Sequence, residues 1–240
     1  EDFALPITVT MLCSTLGVHH EDREAFVGWV ERVFSYIGSP MNDSEHAEDC
    51  KDAYHSLSKY VKQLFEEAQT RNDPEPSSLI GLFVAPGAAH GLTDRDLMGM
   101  TVGMVQGGFE TTTTLISNTI AMLLQDREQL ARIQAEPSLI HTAIEEVLRL
   151  APSLKIGARQ ALADVELSDG NIRAGETVIP VFISANRDPE VFADPDSFDV
   201  SRHPNPHLSF GFGTHFCLGG PLARMQARMQ PTVGCHWLPL

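Results

Sequence analysis

The sequence predicts a mainly helical fold with a small β portion. Three observations support this prediction: apolar residues recur at helical spacing as far as Leu150, a very long helical stretch lies near the centre, and short alternating segments separated by glycines follow Pro152. The 240 residues are 42% apolar and 20% charged, which is typical of a globular protein. We expect one domain over residues 1–240.

Four helices are predicted in the first part of the chain. The second carries an apolar stripe of Phe26, Trp29, Val30, Val33 and Phe34, whereas the third is long and polar. Gly38-Ser39-Pro40 is predicted to end the second helix. The predicted bounds are 3–16, 21–37, 44–71 and 78–84. A loop through Pro86 and Gly87 is expected after the fourth helix.

The central stretch predicts one helix over residues 93–125. Thr93 and Asp96 are spaced as in a capping box, which indicates the helix start. At about 1.5 Å per residue this helix is roughly 50 Å long, so we expect it to cross the whole domain. Its predicted apolar face consists of Leu97, Met100, Met104, Leu115, Ile116, Ile120 and Leu123. Two shorter helices are predicted at 127–135 and 139–150.

The β portion is predicted after Pro152. Short strands are expected at 155–163, 165–167, 171–173 and 177–182, with turns at Gly170 and Gly175. The loop 184–207 is rich in Asp, Pro and Asn, and loops of this length are usually functional or disordered. A glycine-rich loop follows, and then a last helix is predicted at 221–228.

The charge balance excludes some classes of partner. Lys and Arg number 17 and Asp and Glu number 32, so the formal net charge is 17 − 32 = −15. An acidic surface repels phosphate backbones and anionic lipid, so we expect neither nucleic acid nor a membrane as partner. No apolar run is long enough to span a membrane and no signal peptide is visible. The four scattered cysteines favour a reducing, cytoplasmic location.

The glycine-rich loop FGFGTHFCLGG, residues 210–220, holds a cysteine just before a helix start marked by Pro221. Glycines permit positive φ and close approach of a flat ligand. Backbone N–H groups near the sulfur would stabilise a thiolate, which can serve as a single axial iron ligand. A buried structural cysteine beside a glycine turn fits the same residues. The local sequence leaves both interpretations open.

The order Phe-x-x-Gly-x-x-x-Cys-x-Gly, formed by Phe210, Gly213, Cys217 and Gly219, resembles the haem-binding loop of the cytochrome P450 family. The resemblance implies that Cys217 is the axial ligand of the iron in haem b (iron protoporphyrin IX). It also implies that His215 contacts a haem propionate, and that Phe210 and Gly219 lie in the cofactor site.

A second stretch, Gly107-Gly108-Phe109-Glu110-Thr111-Thr112, falls inside the long predicted helix. Each glycine in a helix costs about 1 kcal/mol relative to alanine, and the Thr111 hydroxyl can bond the carbonyl four residues earlier and open the helix locally. A flexible or closely packed helix is the simpler interpretation from these residues alone. The resemblance implies an oxygen-activation groove, with Gly108 in the cofactor site and Glu110 and Thr111 as the catalytic acid–alcohol pair.

Three further matches are weaker. Glu146 and Arg149 share a helix face, and an exposed pair of this kind contributes only tenths of a kcal/mol. The resemblance gives this pair a structural role that supports the haem pocket. It also implies that Arg159 pairs with a haem propionate, whereas the residues alone indicate only a solvated surface arginine. By the same resemblance Gly103, Gln106 and residues 154–156 line the substrate side.

The fold and activity implied by the resemblance follow from these motifs. The implied fold is a partial cytochrome P450 fold. It would contain a long central helix, a Glu-x-x-Arg helix, short strands, a meander loop, the cysteine loop and a last helix. The implied reaction is insertion of one oxygen atom of O2 into a small organic substrate, such as a secondary metabolite. An external, ferredoxin-type protein would deliver the electrons. The acidic chain resembles the soluble bacterial branch of the family.

The resemblance covers only the middle and C-terminal part of a family member, and residues 229–240 form a divergent tail. We therefore expect exposed apolar surface that a partner or an oligomer covers. Two alternatives stay open beside the monooxygenase. One is a truncated, non-catalytic relative that acts as a binding or auxiliary protein, and the other is a haem-independent enzyme on the same scaffold.

Overall fold

The helices follow the predicted order along the chain. The computed structural model describes residues 3–37, 44–85, 91 and 93–234, and these residues are mainly helical. The helices are α1 Ala4–Leu16, α2 Arg23–Ile37, α3 Ser44–Arg71, α4 Leu79–Val84, α5 Asp94–Gln125, α6 Arg127–Ala135, α7 Ile140–Leu150, α8 Phe182–Ala185 and α9 Gly220–Gly234. Short 3-10 turns lie at His20–Asp22, Pro137–Leu139 and Gly213–His215.

Some sequence expectations fall on residues outside the described part of the chain. These are the stop at Gly38-Ser39-Pro40, the loop through Pro86 and Gly87, and the last residues of the tail, 235–240. The last helix differs from its prediction. It begins at Gly220 and continues to Gly234, beyond the predicted end at Arg228.

The strands form two antiparallel pairs; two of the four are shorter than predicted, and the other two have the predicted length. Strand β1, Arg159–Gln160, pairs with β4, Thr177–Val178, and β2, Val165–Leu167, pairs with β3, Gly170–Ile172. The predicted strands 155–163 and 177–182 were too long. Beyond Val178 the pairing is reduced to a single bridge between Ile156 and Val181. Pro180 lies between, and proline has no N–H to donate to a ladder. Phe182 then begins α8 instead of continuing a strand.

The chain forms two compact units, Glu1–Glu110 and Thr111–Leu240, with the boundary inside α5. In the first unit α2 packs along α3, and α4 packs against α1 and α3. The core of this unit includes Leu16, Phe26, Leu57, Ile80 and Val105. In the second unit α7 packs against α9. One of its buried clusters consists of Leu123, Leu130, Ile133, Ala143 and Val200. The expectation of a single domain stays a prediction.

Helix α5 begins at the predicted capping box. The Asp96 N–H donates to Thr93 Oγ1 at 3.3 Å, and the Thr93 N–H donates to Asp96 Oδ2 at 2.9 Å. The helix is continuous through Gly107-Gly108 as far as Gln125.

The buried stripe in the first half of α5 differs from the predicted one. It consists of Leu97, Thr101, Val105 and Phe109, whereas Met100 is 38% exposed on another face. Thr101 is buried because its hydroxyl donates to the Leu97 carbonyl at 2.9 Å, so no polar group is left unsatisfied. The prediction that Met100 belongs to the apolar face was wrong because threonine was treated as polar.

Candidate functional site

The cysteine loop is a tight, hydrogen-bonded turn. Gly211 and Gly213 adopt φ of +75° and +74°, a region that residues with a side chain rarely enter. The Cys217 N–H donates to the Phe210 carbonyl at 2.9 Å, and the Phe216 N–H donates to the Gly213 carbonyl at 3.0 Å. The two glycines therefore allow the chain to fold back, so that Cys217 lies at the head of α9.

The Cys217 thiol is exposed. Its neighbours in the chain are also exposed: Phe212 by 87%, Phe216 by 52% and Leu218 by 79%. A Cβ on Gly219 would lie 4.0 Å from Cys217 Sγ, which is an ordinary van der Waals distance. The interpretation of Cys217 as a buried structural cysteine is therefore wrong. The expected approach of backbone N–H groups to the sulfur stays a prediction.

The exposed residues of this loop fit the cofactor that the sequence suggests. A flat, apolar, iron-bearing group needs one soft donor and apolar side chains around it. The loop offers one sulfur ligand, Cys217, flanked by Phe216 and Leu218, and His215 is exposed on the adjoining 3-10 turn. The donor set is compatible with haem bound through a single thiolate.

The Glu146–Arg149 pair is fully buried, with both side chains 0% exposed. Arg149 Nε and Nη2 each donate to a Glu146 carboxylate oxygen at 2.8 Å. The guanidinium also donates to the carbonyls of Asn186 and Ser197 at 3.0 Å and lies 5.2 Å from the centroid of the Phe192 ring. The pair therefore fastens the loop after α8 to α7 and is not the exposed pair that the spacing alone suggests.

The sequence did not identify the other residues that satisfy Glu146. Arg202 Nε donates to Glu146 Oε1 at 3.0 Å, Asn205 Nδ2 donates to Oε2 at 3.1 Å, and the Asp199 N–H donates to Oε1 at 3.2 Å. All three lie in the loop 184–207. Its unusual length was the only signal, and it did not single out these side chains.

Asn186 links this network to the segment before the cysteine loop. Its Nδ2 donates to the Arg149 carbonyl at 3.1 Å and to Ser209 Oγ at 2.9 Å, and its Oδ1 accepts the Leu208 N–H at 2.8 Å. The Ser209 hydroxyl in turn donates to the Leu148 carbonyl at 2.6 Å. Buried α7 therefore serves as the platform on which the segment leading to Cys217 is held.

Glu145, next to Glu146 on α7, makes separate contacts that the sequence did not indicate. Its carboxylate accepts two hydrogen bonds from Arg224 of α9, each at 2.8 Å, and lies 3.1 Å from His207 Nε2. Burial by itself raises the pKa of Glu145. The hydrogen bonds from His207 and Arg224, together with the positive charge of Arg224, outweigh burial and lower that pKa to about 2. The carboxylate is therefore charged over the physiological range.

The remaining predicted site residues lie on α5 and β1. Glu110 is exposed and Thr111 is partly buried, and the Thr111 carbonyl accepts a hydrogen bond from Ser153 Oγ at 2.7 Å. A Cβ on Gly108 would lie 3.4 Å from Leu12 Cδ1, whereas Gly107 has open space. The distance to Leu12 is an ordinary van der Waals contact, so packing on α1 does not by itself explain Gly108. Its place in a cofactor site stays a prediction.

Arg159 is exposed on β1, and its Nη1 donates to the Ala158 carbonyl at 2.8 Å. Its proposed ligand, a propionate, stays a prediction. The structure places the other predicted residues in three groups. Phe210, His215, Cys217 and Gly219 share one loop, Glu146 and Arg149 support the segment before it, and Glu110 and Thr111 are consecutive on α5.

Among the residues that the structure describes, no helix is both long enough and apolar enough to cross a membrane. The same residues contain no group of three or more His, Cys, Asp or Glu side chains placed to hold a metal ion.

Comparison with protein families gives a match to the family described as cytochrome P450 over residues 31–230. Similar curated proteins include the biotin biosynthesis cytochrome P450 of Bacillus subtilis, 36% identical over 95% of this chain and 57% of that protein. The steroid C26-monooxygenase of Mycobacterium tuberculosis is 36% identical over 94% of this chain and 60% of that protein. The chain therefore spans less than two thirds of the length of these relatives.

Solved structures agree with this comparison. P450BioI in complex with an acyl carrier protein that carries hexadec-9Z-enoic acid is similar with a TM-score of 0.89, at 34% identity over 99% of this chain and 60% of that one. CYP109E1 from Bacillus megaterium in complex with corticosterone has a TM-score of 0.87, at 35% identity over 96% of this chain and 61% of that one.

Proposed function

Because this chain belongs to the cytochrome P450 family, we propose that it carries the haem-binding core of a monooxygenase. The reaction is insertion of one atom of O2 into a C–H bond of an organic substrate. The other atom leaves as water, and two electrons and two protons are consumed. The observation that carries the proposal is the exposed Cys217 thiol on a turn that two positive-φ glycines shape.

The residues of the cysteine loop would hold the cofactor. When bound, haem would supply oxygen activation at its iron, and the Cys217 thiolate would hold that iron. The side chains of Phe210, Phe216 and Leu218 would keep water from the sulfur and strengthen its interaction with the metal. The exposed side chains of His215 and Arg159 would bind the propionates, since an imidazole N–H can donate to a carboxylate and an arginine fork matches one.

Proton delivery is proposed for Glu110 and Thr111. Glu110 is exposed and can exchange protons with water, while the Thr111 hydroxyl can pass a proton along a hydrogen-bonded chain. Ser153 holds the Thr111 carbonyl at 2.7 Å, which supports a fixed position for this turn of α5. Gly107 leaves open space on the same helix, one turn before Thr111.

An external electron donor, ferredoxin-type by resemblance to the family, would supply the electrons. The relatives' names span biotin biosynthesis, steroids and vitamin D3, so they indicate a small organic substrate without selecting one. A secondary metabolite fits this range. The exposed Gln106 and Lys155 favour a substrate with polar groups, if these residues line its site.

The test of the proposal is the spectrum of haem-reconstituted protein, reduced with dithionite under carbon monoxide. We expect a thiolate-type Soret band in the wild type and its loss in Cys217→Ala. Cys50→Ala on α3, at a partly buried cysteine, is the matched control and should keep the band. A flat difference spectrum in the wild type would refute the proposal, and a band that survives in Cys217→Ala would show that another residue ligates the iron.

A second candidate, a binding role without chemistry, is favoured by one observation. Apolar side chains of the second unit are exposed around the small strands, with Leu162 94% exposed and Val165 and Leu167 about half exposed. Such surface usually marks a contact with a partner or a second copy. Light scattering across a concentration series tests this role. Self-association that Leu162→Lys abolishes supports it, and a monomer at all concentrations argues against a second copy as the partner.

A further inference from the structure

Two consecutive glutamates on α7 serve different parts of the second unit. Glu146 contacts Arg149 and Arg202, whereas Glu145 contacts Arg224 and His207. Consecutive residues do not share a helix face, so each carboxylate meets its own partners. The role of Glu146 is to fasten the loop after α8. The contacts of Glu145 lead instead to the cysteine loop.

The first line of contacts runs through Arg224. Both ion-pair contacts of its guanidinium with Glu145 are 2.8 Å long, and the guanidinium carbon lies 4.4 Å from the centroid of the Phe210 ring. The Phe210 carbonyl accepts the Cys217 N–H at 2.9 Å. An arginine held by a carboxylate over an aromatic face is a rigid support, because its planar fork has one orientation that satisfies both contacts. Glu145 therefore acts on the backbone of Cys217 through two residues.

The second line of contacts runs through His207, which is nearly buried. Its Nδ1 accepts the Ser209 N–H at 3.2 Å, so in the neutral ring the proton lies on Nε2 and is donated to Glu145. The His207 and Phe210 ring centroids are 6.1 Å apart. One carboxylate thus fixes the chain on both sides of the loop, at residue 207 before it and at residue 224 after it.

Gly220 completes the arrangement. A Cβ at this position would lie 3.3 Å from Arg224 Nη1 and 3.7 Å from Phe210 Cγ, so a side chain here would push against the stacked pair. The glycine at the first position of α9 therefore leaves room for the stack of Arg224 on Phe210. Its φ is not in the left-handed region, so space and not backbone strain explains it.

We propose that Glu145 is a positioning residue for Cys217, holding the cysteine loop in its ligand-presenting shape through Arg224, Phe210 and His207. The importance of Glu145 for haem chemistry rests on the proposed function. The effect of Glu145 on the loop backbone is independent of that function, because it can be measured in protein without haem. The side-chain contacts of Glu145 described above are with Arg224 and His207.

The experiment measures amide hydrogen exchange at Cys217 in haem-free protein. Glu145→Gln should speed this exchange about tenfold, because a hydrogen-bonded charge is lost from the support. Arg224→Gln should have a similar effect. The double variant should exceed neither single variant by more than about twofold, because both remove the same contact. Arg224→Lys should not rescue the loop, since an ammonium cannot form the fork or the same stack.

Asp199→Asn is the matched control, since it removes a carboxylate paired with Arg132 in the same unit. It should change exchange at Cys217 by less than about twofold. Gly220→Ala tests the stack without removing a charge and should also speed the exchange. Unchanged exchange in Glu145→Gln, or equal effects of Glu145→Gln and Asp199→Asn, would overturn the proposal. The proposal would also be overturned if the exchange rate in the double variant rose by the product of the two single-variant effects.

A second readout uses the haem-loaded protein. Glu145→Gln should lower the share of the reduced carbon monoxide complex that shows the thiolate-type band, whereas Asp199→Asn should not. If the wild type shows no such band, the proposed function fails, and the exchange measurement alone then decides whether Glu145 positions the loop. If the band is present and equal in both variants, the positioning proposal fails while the proposed function stands.

Discussion

At the residue scale, charged side chains inside the second unit act in sets that join distant segments. Arg149 is 0% exposed, and its guanidinium is satisfied by Glu146 together with backbone carbonyls of the loop after α8. A buried pair of this kind is costly to break from one side, because the remaining charge has no water to solvate it. The same spacing on an exposed helix face would contribute almost nothing.

Arg149→Ala should therefore lower the free energy of unfolding by about 3–5 kcal/mol. Lys62→Ala, which removes the exposed Lys62–Glu66 pair of α3, is the control and should cost about 0–1 kcal/mol. Chemical denaturation followed by circular dichroism measures both values. Similar losses in the two variants would show that Arg149 is solvated in solution.

The contacts of Glu145 predict a pH dependence of stability. Its pKa falls from an ordinary value of 4.5 to about 2 on folding, so the unfolded chain binds its proton more readily. Its contribution is complete above pH 4.5 and is lost as the pH falls toward about 2. In denaturation curves over this range, Glu145→Gln should lose less stability on acidification than the wild type. Glu166→Gln, at an exposed position of β2, should follow the wild type. Parallel curves for Glu145→Gln and the wild type would contradict the assignment.

At the element scale, local signals explain most helix boundaries. The structure confirms the predicted bounds of α3 and α6, and it places the start of α5 at the predicted capping box. Strand lengths were predicted less well, because each strand here is only two or three residues long and depends on its partner. Pro180 has no N–H to donate and therefore marks the interruption in the sequence, but the predicted strand 177–182 ran through it.

The capping box of α5 gives a prediction at this scale. Thr93→Ala should lower the free energy of unfolding by about 1 kcal/mol, because the Asp96 N–H loses its acceptor at the helix start. Thr93→Ser keeps the hydroxyl and should retain most of the stability. Thermal or chemical unfolding distinguishes the two variants, and equal loss in both would indicate that the methyl group matters more than the cap.

At the scale of the whole molecule, the chain groups into two compact units whose boundary lies within a continuous helix, α5. If residues 1–240 form one domain, as the sequence predicts, the protein should unfold in a single cooperative transition.

Leu57→Ala in the first unit and Leu130→Ala in the second test this cooperativity. Each removes a buried leucine from its own cluster and should cost about 2–5 kcal/mol. We expect calorimetry to show one transition whose midpoint falls in both variants. Two transitions, of which each variant lowers only one, would mean that the units unfold separately.

The sequence by itself determined the features that depend on neighbours in the chain. The glycine and cysteine spacing of residues 210–220 was sufficient to predict a tight turn before a helix, because positive φ and a helix start are local properties. Only the tertiary structure decided which residues support that loop. His207 and Arg224 lie 62 and 79 residues from Glu145, and no local pattern marks such a pair. Burial also depends on the tertiary structure: Thr101 lies inside and Met100 outside, and Glu146–Arg149 is a buried pair and not a surface pair. The physical reason is that burying a charge or a hydroxyl costs free energy unless it finds a partner, and the partners here come from distant parts of the chain.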